Sequence, residues 1–593
     1  MPLPIEDYAM ISDCQSAALI GRDGSVDWLC FPRYDSPSMF GALLGDPSHG
    51  RWLVAPTDDS AIASRSYVDK TFILVTRWIT GTGEVEVTDF MPFGNRRADI
   101  VRRVRGVRGA VTMRQDLRIR FGYGTAVPWV RQGVRDGDDR ELLAVAGPDA
   151  ISVHGPRLRA RGQSHQSEFE VAAGQTVDIS LTWYPSHRDT PPRVDADAAL
   201  AATTAWWQNW AGSITHDGPY GSVVERSLLV LRALTHEDTG GIVAAATTSL
   251  PEQFGGQRNW DYRYVWLRDA SLTLSVLLKH GFKSEGSHWR EWLLRAIAGD
   301  PADVQIMYGL AGERDLPERQ LTWLPGYEGS SPVRIGNGAV SQYQADVIGE
   351  VIVALHEARE VGLAESKHSW PLTRSLMTFT ESNWRRTDSG IWEMRGRERH
   401  FTHSRVMVWA AFDRAVKACE QFGQEGPVDR WRRLRDAVRA EIEEHGFNEK
   451  RNSYVQSYGS HEVDASLLVL PQVGYLAADD PRMLGTVAAL EQDLLVDGLV
   501  MRYRTEASSD GLPAGEHPFL ACSFWLVEQY ANSGRIEQAT ALMDRLVGLA
   551  NDVGLLSEEY DVADHRHAGN TPQALSHLAL VRAADAIAAH LAR

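Results

Sequence analysis

The stretch Asn259-Trp-Asp-Tyr-Arg-Tyr-Val-Trp-Leu-Arg-Asp-Ala270 changes its period partway along. Trp260, Tyr262, Tyr264, Trp266 and Arg268 recur every second residue, so an extended chain puts all five on one face. Asp261, Arg263, Val265, Leu267 and Asp269 take the other face. Beyond them, Leu272, Leu274, Val276, Leu277 and Leu278 have the spacing of a buried or amphipathic helix, with Asp269 placed to cap it. A polar-aromatic segment held at the mouth of a helix suits a sugar. Ring faces stack on C–H groups, and charged groups bond the vicinal hydroxyls. A core strand with paired charges is the plainer alternative.

Downstream of this stretch the texture is helical. Ser222-Val-Val-Glu225 reads as a capping box, and Leu228, Leu229, Leu231 and Leu234 carry that helix forward. Twelve helices are expected, starting near residues 222, 269, 285, 341, 369, 402, 427, 463, 481, 518, 535 and 573. Joined head to tail they can close as six hairpins in a double ring. Long loops rich in Trp, Tyr, Gly, Arg and acid precede several even-numbered members, at 240–268, 301–340, 387–401, 495–517 and 552–572. Loops gathered at one end of a ring make a pocket.

Upstream, residues 1 to about 210 read as β-rich. Gly21-Arg-Asp-Gly24 is a hairpin turn between 17–20 and 26–31, and further strands are expected at 71–80, 84–90, 111–121, 141–146 and 176–183. Many short strands with turn punctuation point to a sandwich. A Pro-rich piece at 185–192 and an Ala-rich helix through Trp206 form the exit linker. The division is therefore residues 1–210 and 220–593.

At 593 residues, 43% apolar and 23% charged, the chain is a multidomain globular protein. A net charge of −17 argues against nucleic acid or anionic membrane as the main partner. Cys14, Cys30, Cys419 and Cys522 are too scattered for a disulfide framework or a zinc site. No secretory signal and no membrane-length apolar run is visible, so a cytoplasmic protein is expected. No metal-ligand cluster or nucleotide fingerprint appears, and no cofactor is implied.

Two loops carry acids. In Gly390-Ile-Trp-Glu-Met-Arg-Gly-Arg-Glu-Arg-His-Phe-Thr402, Glu393 follows Trp392, and an aromatic wall can desolvate a carboxyl and raise its pKa. In Gly554-Leu-Leu-Ser-Glu-Glu-Tyr-Asp561, Glu558 and Glu559 point opposite ways if extended, so only one can face a pocket. Taken alone, each reads first as a surface acid, the default for Glu. They gain meaning only if two of them face one another across a sugar.

These residues, with Ile5-Glu-Asp-Tyr8, Gly21-Arg-Asp-Gly-Ser-Val-Asp-Trp28, Asp35-Ser-Pro37, Leu250-Pro-Glu252, Pro332-Val-Arg-Ile-Gly-Asn337 and Arg502-Tyr503, stand in a characteristic order. In that order the chain resembles the glucoamylase-like family-15 glycoside hydrolases, within them the bacterial trehalase-like branch. The resemblance implies an N-terminal antiparallel β-sandwich followed by an (α/α)6 barrel, and an inverting hydrolase that releases glucose from a non-reducing end. Glu393 matches the general acid and Glu558 the general base. Arg268 and Asp269 match the pair that grips the terminal glucose, and Arg502 a further arginine there. Trp266 and Trp392 would line the same pocket, with Trp323, Arg334, Gln342 and Asp346 at the rim or behind it.

One departure from the starch-acting members is Asp510-Gly-Leu-Pro-Ala-Gly-Glu-His-Pro-Phe519 after Arg502-Tyr503. It makes a small α-glucoside, trehalose first, the expected substrate, with malto- or isomalto-oligosaccharides as the alternative. A long pair of loops carrying Arg314, Arg319, Arg334, Arg502 and Arg504 is expected to close the pocket over a second sugar. Disaccharide phosphorylases share this architecture but need a phosphate site where Glu558 stands. A helical scaffold would need a fixed repeat, which the chain lacks.

Overall fold

The computed structural model describes every residue except Met1, Asn95, 134–140, 507–509 and Arg593. Part of the 495–517 loop thus lies outside the described residues.

One strand organises the first 185 residues. Ala98–Arg118 pairs through its first half with Gly83–Phe90 and Thr176–Pro185, and through its second half with Arg51–Pro56 and Ser164–Ala172, all antiparallel. It belongs to two sheets at once. Sequence reading caught only its second half, because arginines at 102, 103, 105 and 108 around two glycines look like a loop. Arg102 is fully buried yet satisfied: it donates to Asp89 at 2.8 Å, to the carbonyl of Trp52 at 2.8 Å and to that of Gly24 at 2.7 Å. A buried charge is tolerable only when paired and hydrogen-bonded like this. Trp52, Val54, Val104 and Met113 are buried in the core, and Trp28 reaches the helical part, its indole N–H donating to the carbonyl of Ala246 at 2.9 Å.

Helix α1 (Ala196–Ala211), capped by the Asp195 carboxylate, joins the sandwich to the helices. Trp206 stacks on Phe93 of the sandwich at 3.5 Å, and Trp210 stacks on Phe282 at 4.3 Å. Then follow α2 (Gly221–Ala233), α3 (Leu267–Lys279), α4 (Lys283–Ala296), α5 (Asp346–Glu360), α6 (Ser369–Asn383), α7 (Thr402–Phe422), α8 (Val428–His445), α9 (Pro481–Leu494), α10 (Leu520–Asn532), α11 (Ile536–Val547) and α12 (Ala574–Leu591).

Two expectations need correction. The eighth of the twelve expected helices is only a 3-10 turn, Ala465–Val469. The capping box at 222–225 does not form: Tyr220 opens α2 earlier through its backbone, and Glu225 pairs instead with Lys70.

The ring nevertheless closes. In order, α3, α5, α7, the 465–469 turn, α10 and α12 pack side by side, and α12 returns to α3. These are the even-numbered members. They are buried along most of their length, while α4, α6, α8, α9 and α11 expose one face, so they form the inner wall of an (α/α)6 barrel. The loops preceding the inner helices all open at one end. Among the described residues no helix is long and apolar enough to cross a membrane. Cys14, Cys30 and Cys522 are buried free thiols, and Cys419 is half-buried.

Candidate active site

The alternating stretch divides its two faces between two tasks. Asp261 and Arg263 form a fully buried pair at 2.7 Å, and Arg263 also donates to the Tyr123 hydroxyl at 2.9 Å and to the carbonyl of Ser36 at 2.9 Å. That face is bolted to the sandwich. Trp260, Tyr262 and Trp266 line the pocket at the mouth of the ring. Tyr264 departs from the expected face. Strand pairing stops at Asp261 and resumes at Val265, which turns its phenol toward Asp261, Arg263 and Tyr123. Helix α3 also starts two residues early, with Trp266 at its N-cap. Asp269 therefore sits in the first turn, where its carboxylate accepts from Arg268 at 2.6 Å and complements the helix dipole.

Two compartments adjoin there. The inner one is lined by Tyr262, Trp266, Arg268, Asp269, Trp392, Glu393, Arg502, Phe519 and Glu558, with Ala244, Gln573 and Leu575 behind. The outer one shares Tyr262, Trp392, Glu393 and Arg502 and adds residues such as Glu252, Arg258, Trp260, Arg395, Asp510 and Leu512.

Glu393 leaves a tight turn in a left-handed backbone conformation, φ 51°, that a non-glycine residue adopts only when its surroundings enforce it. The Glu393 amide donates to the carbonyl of Gly390, and the Met394 amide to that of Ser389 at 3.0 Å. Trp392 is fixed by its indole N–H on Asp464 at 2.9 Å. The carboxylate accepts from the Trp266 indole at 3.1 Å and lies 3.5 Å from Arg268. Arg268 in turn donates to the carbonyl of Ile391 at 2.6 Å, which ties the turn to α3. Burial raises the Glu393 pKa, against the opposing charge of Arg268. Its side chain keeps 23% of its exposure, so the carboxyl is open to a ligand.

Glu558 faces the same compartment. It accepts from the Tyr262 hydroxyl at 2.6 Å and from the backbone N–H of Asn570 at 3.4 Å. Gly569 lets this happen: a Cβ there would come 2.6 Å from the Glu558 Cβ. Glu559 turns away, accepting from the backbone N–H of His517 at 2.9 Å. Arg502 gathers the surrounding acids, reaching Glu252 at 2.8 Å, Glu516 at 2.7 Å and Glu559 at 3.6 Å. Burial raises Glu558 and Glu559, Glu252 adds to both shifts, and Arg502 opposes them. Four buried carboxyls thus crowd Arg502.

The remaining candidates lie further out. Gln342 donates weakly to the carbonyls of Glu393 and Met394, both at 3.3 Å, and so supports the turn. Arg334 lies 4.6 Å over the Trp260 ring and donates to the carbonyls of Gln257 and Asn259. Asp346 is fully buried at the start of α5, near Arg268 and Asp388, and is not among the residues lining the inner compartment. Trp323 is 47% exposed, with its indole on the carbonyl of Tyr123, and belongs to the junction with the sandwich. Of the five arginines expected to close the pocket, Arg314 is spent on the carbonyls of Ala296 and Ala298, and Arg504 on Glu462. Arg319 stands exposed. Sequence reading put Tyr262 on the sugar-facing side without its tie to Glu558, and passed over Glu252 as a functional group although Glu252 lies in a stretch it quoted.

Sandwich, closed helical ring and a mouth lined by aromatic rings and buried acids define an (α/α)6-barrel glycoside hydrolase. Residues 218–585 match the family described as Glycosyl hydrolases family 15, and residues 1–148 match the one described as Trehalase-like, N-terminal. The chain belongs to glycosyl hydrolase family 15. It is 36% identical to a trehalase of Mycobacterium tuberculosis, the match covering 98% of this chain and 89% of that one. With a trehalase of Thermoplasma volcanium the identity is 33%, over 98% and 93% of the two chains. A bacterial glucoamylase solved in complex with acarbose superposes with a TM-score of 0.75 over 99% of this chain and 94% of the other. At 12% identity that likeness is one of fold alone.

Proposed function

We propose that the protein hydrolyses α,α-trehalose to two glucose molecules with inversion at the attacked carbon. The observation that carries this reading is that Glu393 and Glu558, from distant loops, line one compartment with the Arg268–Asp269 pair. The full-length similarity to proteins described as trehalases supports the choice of sugar. Arg268 and Asp269 hold the hydroxyls of the terminal glucose in the inner compartment, against Trp266 and Trp392. Glu393 gives its proton to the bridging oxygen as the bond from C1 to that oxygen breaks. Glu558 takes a proton from a water that attacks C1 from the opposite face, and solvent resets both carboxyls. The outer compartment receives the departing glucose. A site at residues 220–593 braced by a sandwich at 1–210 is part of the same reading.

Glucose release from trehalose, maltose, isomaltose and soluble starch tests it. A pocket built around buried donors leaves them unpaired when the wrong sugar binds. Trehalose is expected to exceed maltose in kcat/KM by at least about tenfold, roughly 1.4 kcal/mol of transition-state binding. Equal or better cleavage of maltotriose or starch would make the protein a glucoamylase instead.

A further inference from the structure

The loop that departs from the starch-acting pattern is bound to the turn carrying Glu393. Asp510, 2% exposed, accepts from Arg258 at 2.6 Å, from the Tyr503 hydroxyl at 2.9 Å and from the backbone N–H of Leu512 at 2.9 Å. Its own carbonyl accepts from the backbone N–H of Arg395 at 2.8 Å. One residue thus joins three loops that come from different parts of the chain. Gly511, with φ +84°, makes the approach possible: a Cβ there would come 2.9 Å from the Arg395 carbonyl carbon. Arg258 ties the same loop a second time, donating to the carbonyl of Pro513 at 3.0 Å.

The clamp continues outward. Arg395 pairs with Glu318 at 2.7 Å and lies 4.4 Å from the centre of the Trp260 ring, which Arg334 also covers. The Trp260 indole donates to Glu252 at 3.0 Å. Three loops lining the outer compartment are therefore cross-linked to one another through Arg258, Asp510 and Arg395. A trough for a long glucan needs the reverse, loops parted where the third sugar would pass.

We propose that Asp510 is a positioning residue that clamps the Glu393 turn to the 252–260 loop and so limits the outer compartment to one departing sugar. The proposal rests on the reading of Glu393 as acid and of the outer compartment as the seat of the departing sugar. It concerns chain length and not linkage, which makes it testable apart from the choice of trehalose. A buried carboxylate holding three donors is costly to remove, because each donor is left without its partner. Loss of the Asp510 carboxylate releases Arg258 and the Tyr503 hydroxyl, so the 252–260 loop is no longer held to the Glu393 turn; this slows disaccharide cleavage and opens a path for a third sugar.

The measurement is kcat/KM for trehalose, maltose and maltotriose on the wild type, Asp510→Ala and Gly511→Ala. The quantity read is the ratio of the better-cleaved disaccharide to maltotriose. It is expected to fall at least about tenfold in both variants, or maltotriose cleavage is expected to appear where the wild type shows none. A ratio that stays constant while all rates fall together would mean a purely structural role and overturn the proposal. If Asp510→Ala does not fold, Tyr503→Phe removes a single hydrogen bond to the carboxylate and is expected to lower the ratio about threefold. An unchanged ratio there overturns the proposal equally. Wild-type protein that cleaves maltose as well as trehalose would contradict the trehalose reading alone.

Discussion

Tyr262 and Trp266 hold the two pocket glutamates from a single segment: the Tyr262 hydroxyl donates to Glu558 at 2.6 Å and the Trp266 indole to Glu393 at 3.1 Å. Their rings meet edge to face, 5.4 Å between centres. The spacing of the two carboxylates therefore depends on one short, aromatic piece of chain, which Asp261 and Arg263 lock to the sandwich. A hydrolase of this kind needs that spacing fixed, since a water must fit between base and sugar.

Exchange of single acids separates the roles. Glu393→Gln and Glu558→Gln are each expected to lower kcat on trehalose by about 10³-fold or more, by loss of proton donation or acceptance. Glu559→Gln is expected to cost no more than about tenfold, because Glu559 turns to His517 and Arg502. The opposite order for Glu558 and Glu559 would identify the wrong carboxylate as base.

The pH profile follows from charge crowding. On the proposed roles, activity requires Glu558 ionised and Glu393 protonated, so kcat/KM falls on either side of the pH window in which that pairing is populated. Burial raises both groups, and Glu252 raises Glu558 further. The bell is thus displaced upward from that of two ordinary glutamates. Glu252→Gln removes the negative neighbour and is expected to move the limb set by Glu558 downward by about half a unit to one unit. A Glu558 limb that moves upward would contradict this arrangement of charge.

A second titration concerns stability. Asp346 has both carboxylate oxygens buried with no side-chain hydrogen-bond partner among the described residues, and its pKa rises from 3.8 to about 7 through burial, with Asp388 adding and Arg268 opposing. The folded state therefore keeps a proton that the unfolded chain releases near pH 4. Stability is full below that pH and declines as pH rises to about 7, by at most about 4 kcal/mol. Asp346→Asn is expected to unfold at a higher temperature than the wild type at pH 8 and at a similar one at pH 4. An equal difference at both pH values would rule out titration as the cause.

Much of this was legible in the sequence where one period held for long enough. The inner helices announce themselves by apolar spacing, and the long aromatic loops before them mark the pocket's end. The segment near residue 463 reads as a helix but forms only the turn at Ala465–Val469, because the buried run around Leu467 and Leu468 is too short to tell one from the other. Glu393 and Glu558 were visible as acids beside apolar residues, but only folding brings Trp266 and Tyr262 onto them. Tyr264 misled because alternation predicts a face only while strand pairing lasts, and pairing lapses between Asp261 and Val265. Trp323, placed at the rim or behind it by the resemblance alone, gives its indole N–H to the Tyr123 carbonyl at the junction with the sandwich.

The anomers formed in the first minutes of trehalose hydrolysis test the central claim most directly. Attack by a Glu558-activated water inverts one C1, while the departing glucose keeps its α configuration. Proton NMR recorded before mutarotation is expected to show α- and β-glucose in equal amounts. Early appearance of α-glucose alone would mean retention, and would contradict the roles given to Glu393 and Glu558.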